Sequence, residues 1–403
     1  MIASANAAAR YRVLDAWRGI CACLVAFIHV PVAHGWQDAG AFHSLQLFVD
    51  FFFLLSGFVI CHAYGERLER DGNWTGFMIR RFGRVYPLHI AALAGFVTLE
   101  LFKVVAGLFA SLPIDGAPFT GPRSLATLLS NLVMTQSFGL HGMTSWNGPA
   151  WSIGVEFYTY AVFAGAVLIT GARSWVFLGL AVLGLAVMAG VSPLWLFATH
   201  DYGFWRCLYG FFLGCLVCNF LSAAPSATMA RLAGRGRFAG MSLATVIEIA
   251  SVAVLAVYLA LTGINASSLA APLVFAGIVL VFAGEGGAIS RMLLAAPAQT
   301  LGLWSYSIYM IHMLLFAVLK IVMTALAKIS FLGISAPVSE PVKLWTLGGP
   351  VSDAALVAVY LGLVLVLAKH SFDWIEAPAR AWFARLADRV APPAKRKLAT
   401  VVR

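Results

Sequence analysis

Charge is scarce in this chain: Asp, Glu, Lys and Arg make up 11% of its 403 residues. Soluble domains carry about 25%, so a water-soluble globular fold is excluded. Cysteine is scarce as well. All six cysteines (Cys21, Cys23, Cys61, Cys207, Cys215 and Cys218) fall in apolar stretches without Cys/His zinc spacing, which argues against a disulfide framework or metal centre and for small packing residues. No internal repeat is visible, as a two-halved transporter would show. The longest pieces outside the apolar runs, Ser111–Ala150, Lys328–Pro350 and the tail from Phe372, are each too short for a separate core.

What is abundant is apolar: 61% of residues are hydrophobic and the mean hydropathy is +0.88. The fold class expected is all-α, a polytopic bundle. Ten stretches are long enough to span: Val13–His34, Leu45–Tyr64, Tyr86–Ala110, Trp151–Thr170, Trp175–Ser192, Phe204–Leu221, Leu243–Gly263, Ser268–Ala283, Gly302–Ala327 and Val351–Ser371. Leu125–Gln136 is too short to cross. With both termini cytoplasmic, most of the 27 basic residues fall on the cytoplasmic side, as the positive-inside rule requires. The net charge of +10 then reflects orientation and anionic lipid and needs no nucleic-acid partner. Residues 1–377 read as a transmembrane domain and 378–403 as a basic cytoplasmic tail. The first run is too long, and too polar at Arg18 and His29, for a cleavable signal.

Arg18 and His29 share one helix face, since 11 residues turn a helix about 1100° and rise about 16 Å. A guanidinium near one surface and an imidazole near mid-depth form a polar track, and ionisable groups inside spans mark function. Asp50, six residues into the second span, either reaches the depth of His29 and orients its ring, or caps and packs near the outer interface. Ser56-Gly57 reads as a small-residue packing pair rather than a nucleophile.

Six motifs occur in order: Leu14-Asp15-Ala16-Trp17-Arg18-Gly19 with His29; Val49-Asp50-Phe51-Phe52-Phe53-Leu54-Leu55-Ser56-Gly57-Phe58; Arg80-Arg81-Phe82-Gly83-Arg84-Val85-Tyr86-Pro87; Trp151-Ser152-Ile153-Gly154-Val155-Glu156-Phe157-Tyr158; Ser305-Tyr306-Ser307-Ile308-Tyr309-Met310-Ile311-His312; and Glu376-Ala377-Pro378. Together they resemble the acyltransferase-3 family of integral membrane O-acyltransferases, nearly end to end. Where many members place a second acidic or polar residue, Glu156 is followed by Phe157.

The resemblance implies transfer of an acyl group, usually acetyl, from cytosolic acyl-CoA to a hydroxyl of a cell-surface carbohydrate or glycolipid, in a bacterial plasma membrane. Acyl-CoA is a co-substrate here, and no tightly bound cofactor is expected. His29 is the candidate base, because imidazole titrates near neutrality, with Asp50 and Glu156 beside it in the catalytic set. Arg18, Arg81 and Arg84 are the candidate acyl-CoA seat, since arginine grips phosphate bidentately. Trp151, Asn147, Tyr309 and His312 are candidate acceptor-binding residues. A transporter of an anionic or acylated solute is the rival reading, with Arg18, His29, Asp50 and Glu156 as a proton path; a passive scaffold is a third.

Overall fold

A computed structural model describes residues 11–30, 32, 40–109, 117–223, 237–238, 241–326, 345–347 and 349–392. Apart from an antiparallel ribbon of Arg237–Phe238 with Met241–Ser242 and a single bridge between Val32 and Trp345, these residues are helical or in turns. The longer helices are α1 (Arg12–Ile28), α2 (Phe48–Asp71), α3 (Trp74–Phe109), α4 (Ala150–Thr170), α5 (Ser174–Val191), α6 (Gly203–Ala223), α7 (Leu243–Leu261), α8 (Ala271–Phe282), α9 (Ala296–Leu326), α10 (Pro350–Ser371) and α11 (Ala377–Val390).

Every apolar stretch picked out above overlaps one of α1 to α10, and the expected count of ten spans is met in part. Among the described residues, eight helices are sufficiently long and apolar to cross a membrane. The other two are α1, with 17 residues, and α8, with 12, which continues from a 3₁₀ turn at Ala266–Ala270 as one shorter apolar helix over Ala266–Phe282. The stretch ends at His34, Ala110 and Ala327, and the tail beyond residue 392, lie outside the described residues. Leu125–Leu132 is a helix of 8 residues, capped by Ser124.

Helix α1 stops earlier than its apolar run. His29 is the cap residue, its N–H turned to the carbonyls of Ala26 and Phe27, and Val30 N–H bonds Phe27 O in a tightened last turn. Pro31 in the sequence explains this. Proline disfavours helical geometry in the residue before it and has no N–H with which to continue the ladder. Helix α2 ends on Gly72, whose φ of 62° closes the turn through a bond from its N–H to Leu68 O.

Three helix pairs approach backbone to backbone, α5/α6 at Gly184 and two that flank the site. In the pair α2/α6, a Cβ at Gly57 would overlap the Phe211 carbonyl, and one at Gly214 the Leu54 carbonyl. In the pair α1/α9, Gly19 meets the backbone of Leu301 and Gly302, while Gly302 meets that of Asp15. Lipid offers little hydrophobic drive between helices, so such close van der Waals packing at small residues holds the bundle. Gly57→Ala is expected to lower the melting temperature in detergent, at a cost of about 1–3 kcal/mol for overpacking. Gly107→Ala, with no atom within 4 Å of its Cβ, serves as the control that leaves it unchanged.

The last helix is interrupted. Between α10 and α11 the turn Phe372–Glu376 widens into a π-helix, which brings Glu376 inward to 1% exposure. Such bulges recur at functional sites. Beyond it, α11 packs along the arginine-rich start of α3: Arg80 pairs with Asp388, a Cβ at Gly83 would meet the Phe383 ring, and Asn73 Nδ2 donates to Ala391 O at 2.7 Å.

Candidate active site

A cavity of about 600 Å³ opens among α1, α2, α3, α4 and α9, and Arg380 of α11 contributes to its wall. Four guanidinium groups line it, from Arg18, Arg81, Arg84 and Arg380, together with the carboxylates of Asp15 and Glu156. The three arginines proposed for the donor therefore come together from two separate helices.

Each arginine has a different setting. Arg18 Nη1 donates to Asp15 Oδ1 at 3.2 Å, one turn back on α1. Arg84 pairs with the buried Glu376 and lies 5.2 Å from the centroid of the Tyr306 ring, and Arg380 reaches the same Glu376 carboxylate at 3.6 Å. Ser307 Oγ donates to the other Glu376 oxygen at 2.8 Å. Arg81 is held by aromatic faces instead: Tyr64 at 5.1 Å, Tyr160 at 5.8 Å and Phe77 at 6.0 Å. Its Nη2 donates to Tyr64 OH at 3.4 Å, while its Nε is buried with no partner among the described residues. A planar cation fixed by ring faces keeps donors for an incoming phosphate.

Glu156 faces the same cavity. Its Oε1 accepts from Tyr160 OH at 2.6 Å, one turn further along α4, and Ser56 Oγ lies 3.1 Å from that phenol oxygen. Ser56, Tyr160 and Glu156 all line the wall. The expectation that Ser56 merely packs is corrected here: Gly57 makes the close approach to α6, and Ser56 faces the opening.

His29 is not among the lining residues. Tyr309 and Phe52 border the cavity, with ring centroids 5.7 Å apart; His312 lies 5.9 Å beyond Tyr309, and His29 lies 5.1 Å beyond His312. The Nδ1 of His29 lies 2.8 Å from Val25 O. A carbonyl only accepts, so Nδ1 carries the proton and the neutral ring presents Nε2 as its basic atom. His312 is fully buried, with Nδ1 toward Ile308 O at 3.3 Å and Nε2 unpartnered among the described residues. Tyr309 OH bonds Ser152 Oγ at 2.8 Å and donates to Pro149 O at 3.1 Å.

Three of the expected site residues are engaged elsewhere. Asp50 does not orient His29, because both its oxygens accept from Arg206, at 2.7 and 2.9 Å. Trp151 does not offer an open ring to an acceptor; the Arg206 guanidinium covers it at 5.1 Å, and Phe53 meets it at 5.8 Å. Asn147 is 1% exposed and fastens its segment to α9 through Met310 O at 3.0 Å. Among the described residues no cluster of His, Cys, Asp or Glu is placed to hold a metal ion.

Sequence reasoning passed over Arg206 and Tyr160 and gave Glu376 no role. A cation three residues into an apolar run signals Arg206, the spacing of four from Glu156 signals Tyr160, and the closing Glu-Ala-Pro motif contains Glu376.

The comparisons agree with this architecture. A family model described as an acyltransferase domain matches residues 11–372. The chain is 35% identical over 161 residues to "Protein 2 in picA locus" of Rhizobium radiobacter, covering 38% of this chain and 81% of that protein. It is also 34% identical over 119 residues to "Acyltransferase MdmB" of Streptomyces mycarofaciens, covering 28% of this chain and 26% of that one. No solved structure matches. With the motifs in order and the family model matching residues 11–372 of the 403, the chain belongs to the acyltransferase-3 family of membrane acyltransferases.

Proposed function

We propose that this protein moves an acyl group, acetyl in the simplest case, from cytosolic acyl-CoA to a hydroxyl of a cell-surface or exported carbohydrate or glycolipid. The observation that carries the reading is the shared cavity of Arg18, Arg81, Arg84 and Arg380 beside Glu156, with the His29–His312 pair one aromatic ring away. A membrane protein has little reason to gather four guanidinium groups around an opening unless an anion enters it. The phosphates of a nucleotide carrier supply that anion, and bidentate charge-assisted bonds hold it.

In this reading both termini are cytoplasmic, the arginine-rich end faces the cytoplasm of a bacterial plasma membrane, and the acceptor approaches from the opposite side. His29 Nε2 removes the acceptor hydroxyl proton. The oxygen attacks the carbonyl carbon of the acyl group, the bond from that carbon to its carrier atom breaks, and the imidazolium returns the proton to the atom that leaves. Glu376 fits the same scheme as the counter-ion that keeps Arg84 in place while the cavity is empty.

The test reconstitutes purified protein in vesicles, with labelled acetyl-CoA on the arginine side and candidate glycans on the other. Label reaching the glycan supports the enzyme; movement of unmodified solute without thioester consumption would support the transporter. Arg81→Ala is expected to raise the KM for acetyl-CoA about 10–100-fold, the worth of a charge-assisted bond of about 1.5–3 kcal/mol, with kcat less affected. An unchanged KM would remove Arg81 from the carrier's seat.

A further inference from the structure

We infer that Ser56 accepts the acyl group before the carbohydrate does, so that transfer runs through an acyl-serine ester on α2. This deepens the acyl-CoA reading and rests on it. Helix packing does not account for Ser56. The close approach of α2 to α6 is made by Gly57 on one side and by Gly210 and Gly214 on the other, while Ser56 lines the cavity with the four arginines.

The hydroxyl is connected as a nucleophile would be. Tyr160 has one phenolic proton, directed to Glu156 Oε1 at 2.6 Å. Toward Ser56, at 3.1 Å, its oxygen is therefore the acceptor, and Ser56 O–H is the donor. The result is a three-member chain of serine, proton acceptor and carboxylate, the logic by which a weak nucleophile is activated on many folds. Tyr160 is 3% exposed, so the middle of the chain is buried while Ser56 faces the cavity. Arg81, over the Tyr160 ring at 5.8 Å, brings positive charge to where negative charge moves.

The step balances. Ser56 Oγ bonds the thioester carbonyl carbon, its proton passes to the Tyr160 oxygen, and the Tyr160 proton passes to Glu156. The carbon–sulfur bond then breaks, and the thiolate leaves with the proton returned through Tyr160. Ester and free CoA thiol are the products. The acceptor oxygen, giving its proton to His29, attacks the ester carbonyl; the carbon–Oγ bond of the acyl-serine breaks, and the proton held by the His29 imidazolium passes to the leaving serine oxygen, which restores both groups.

The experiment incubates the full chain with radiolabelled acetyl-CoA and no acceptor, quenches in acid and maps the label by peptide mass spectrometry. Label is expected on the Ser56 peptide, lost at least tenfold in Ser56→Ala and slowed about 10–100-fold in Tyr160→Phe and Glu156→Gln. In His29→Gln the label should form and then resist discharge when acceptor is added. Transfer by the wild-type protein without label at Ser56 overturns the ester and leaves the transferase reading standing, whether or not Ser56→Ala folds. Wild-type transfer rates in a folded Ser56→Ala protein overturn it equally. Absence of any transfer or labelling from acetyl-CoA overturns both.

Discussion

His29→Gln is expected to lower kcat for acetyl transfer by about 10²–10⁴-fold, the range removed with a general base, and to leave the KM for acetyl-CoA close to that of the unaltered protein. The two parameters separate because His29 stands outside the arginine-lined cavity, beyond Tyr309 and His312. Glutamine can still donate to the Val25 carbonyl, as Nδ1 does at 2.8 Å, but it cannot take a proton. Stability should change little, since His29 closes α1 through its backbone N–H, which glutamine keeps. Initial rates of labelled acetyl transfer, read alongside a detergent melting curve, decide the matter. A folded His29→Gln protein with kcat within threefold of the unaltered enzyme would remove His29 from the proton path. His312→Gln is the informative neighbour. With Nδ1 at 3.3 Å from Ile308 O and full burial, it supports the His29 ring by contact and should cost less than His29 itself.

The parts of this architecture that follow from composition were readable from the chain alone. Each apolar run became a helix because no polar group in a bilayer core can leave its backbone unpaired, and the grouping of Arg81 with Arg84 follows from three-residue spacing on one helix. What could not be read was register between helices. Residue counting leaves Asp50 two settings, beside His29 or packed near the outer interface; its partner, Arg206, is 156 residues away in sequence, and only packing of α2 against α6 makes them neighbours. The end of α1 was misplaced for a local reason, because hydropathy continues past His29 while Pro31 ends the ladder. Ser56 and Gly57 look alike as small residues, and their roles diverge only once one of them is seen against a neighbouring backbone. Glu376 needed the π-turn, which shifts a side chain around the helix axis in a way no 3.6-residue count anticipates.

Asp50→Ala is expected to destabilise the protein by about 3–5 kcal/mol, the cost of leaving one charge of a buried pair behind. Arg206 is 2% exposed and Asp50 fully buried. Without the carboxylate, the guanidinium keeps, among the described residues, the Ala198 carbonyl at 3.0 Å, the Gln46 carbonyl at 3.5 Å and the Trp151 ring, none of which carries a full negative charge. Removing both partners is a different perturbation. Asp50→Ala with Arg206→Met leaves no stranded ion and keeps much of the arginine stem's volume, so the double variant should be more stable than Asp50→Ala alone, although the desolvation of both charges makes the intact pair's own net contribution small. Detergent melting of the four proteins in the cycle measures the coupling; a double variant no more stable than Asp50→Ala would show that the pair is not the source of the loss. Activity should follow for a geometric reason. Arg206 of α6 binds α2 through Asp50 and α4 through the face of Trp151, which lies five residues before Glu156 on the same helix. Loosening that clasp frees α4 to slide relative to α2, and the 3.1 Å contact between Ser56 and Tyr160 spans those two helices.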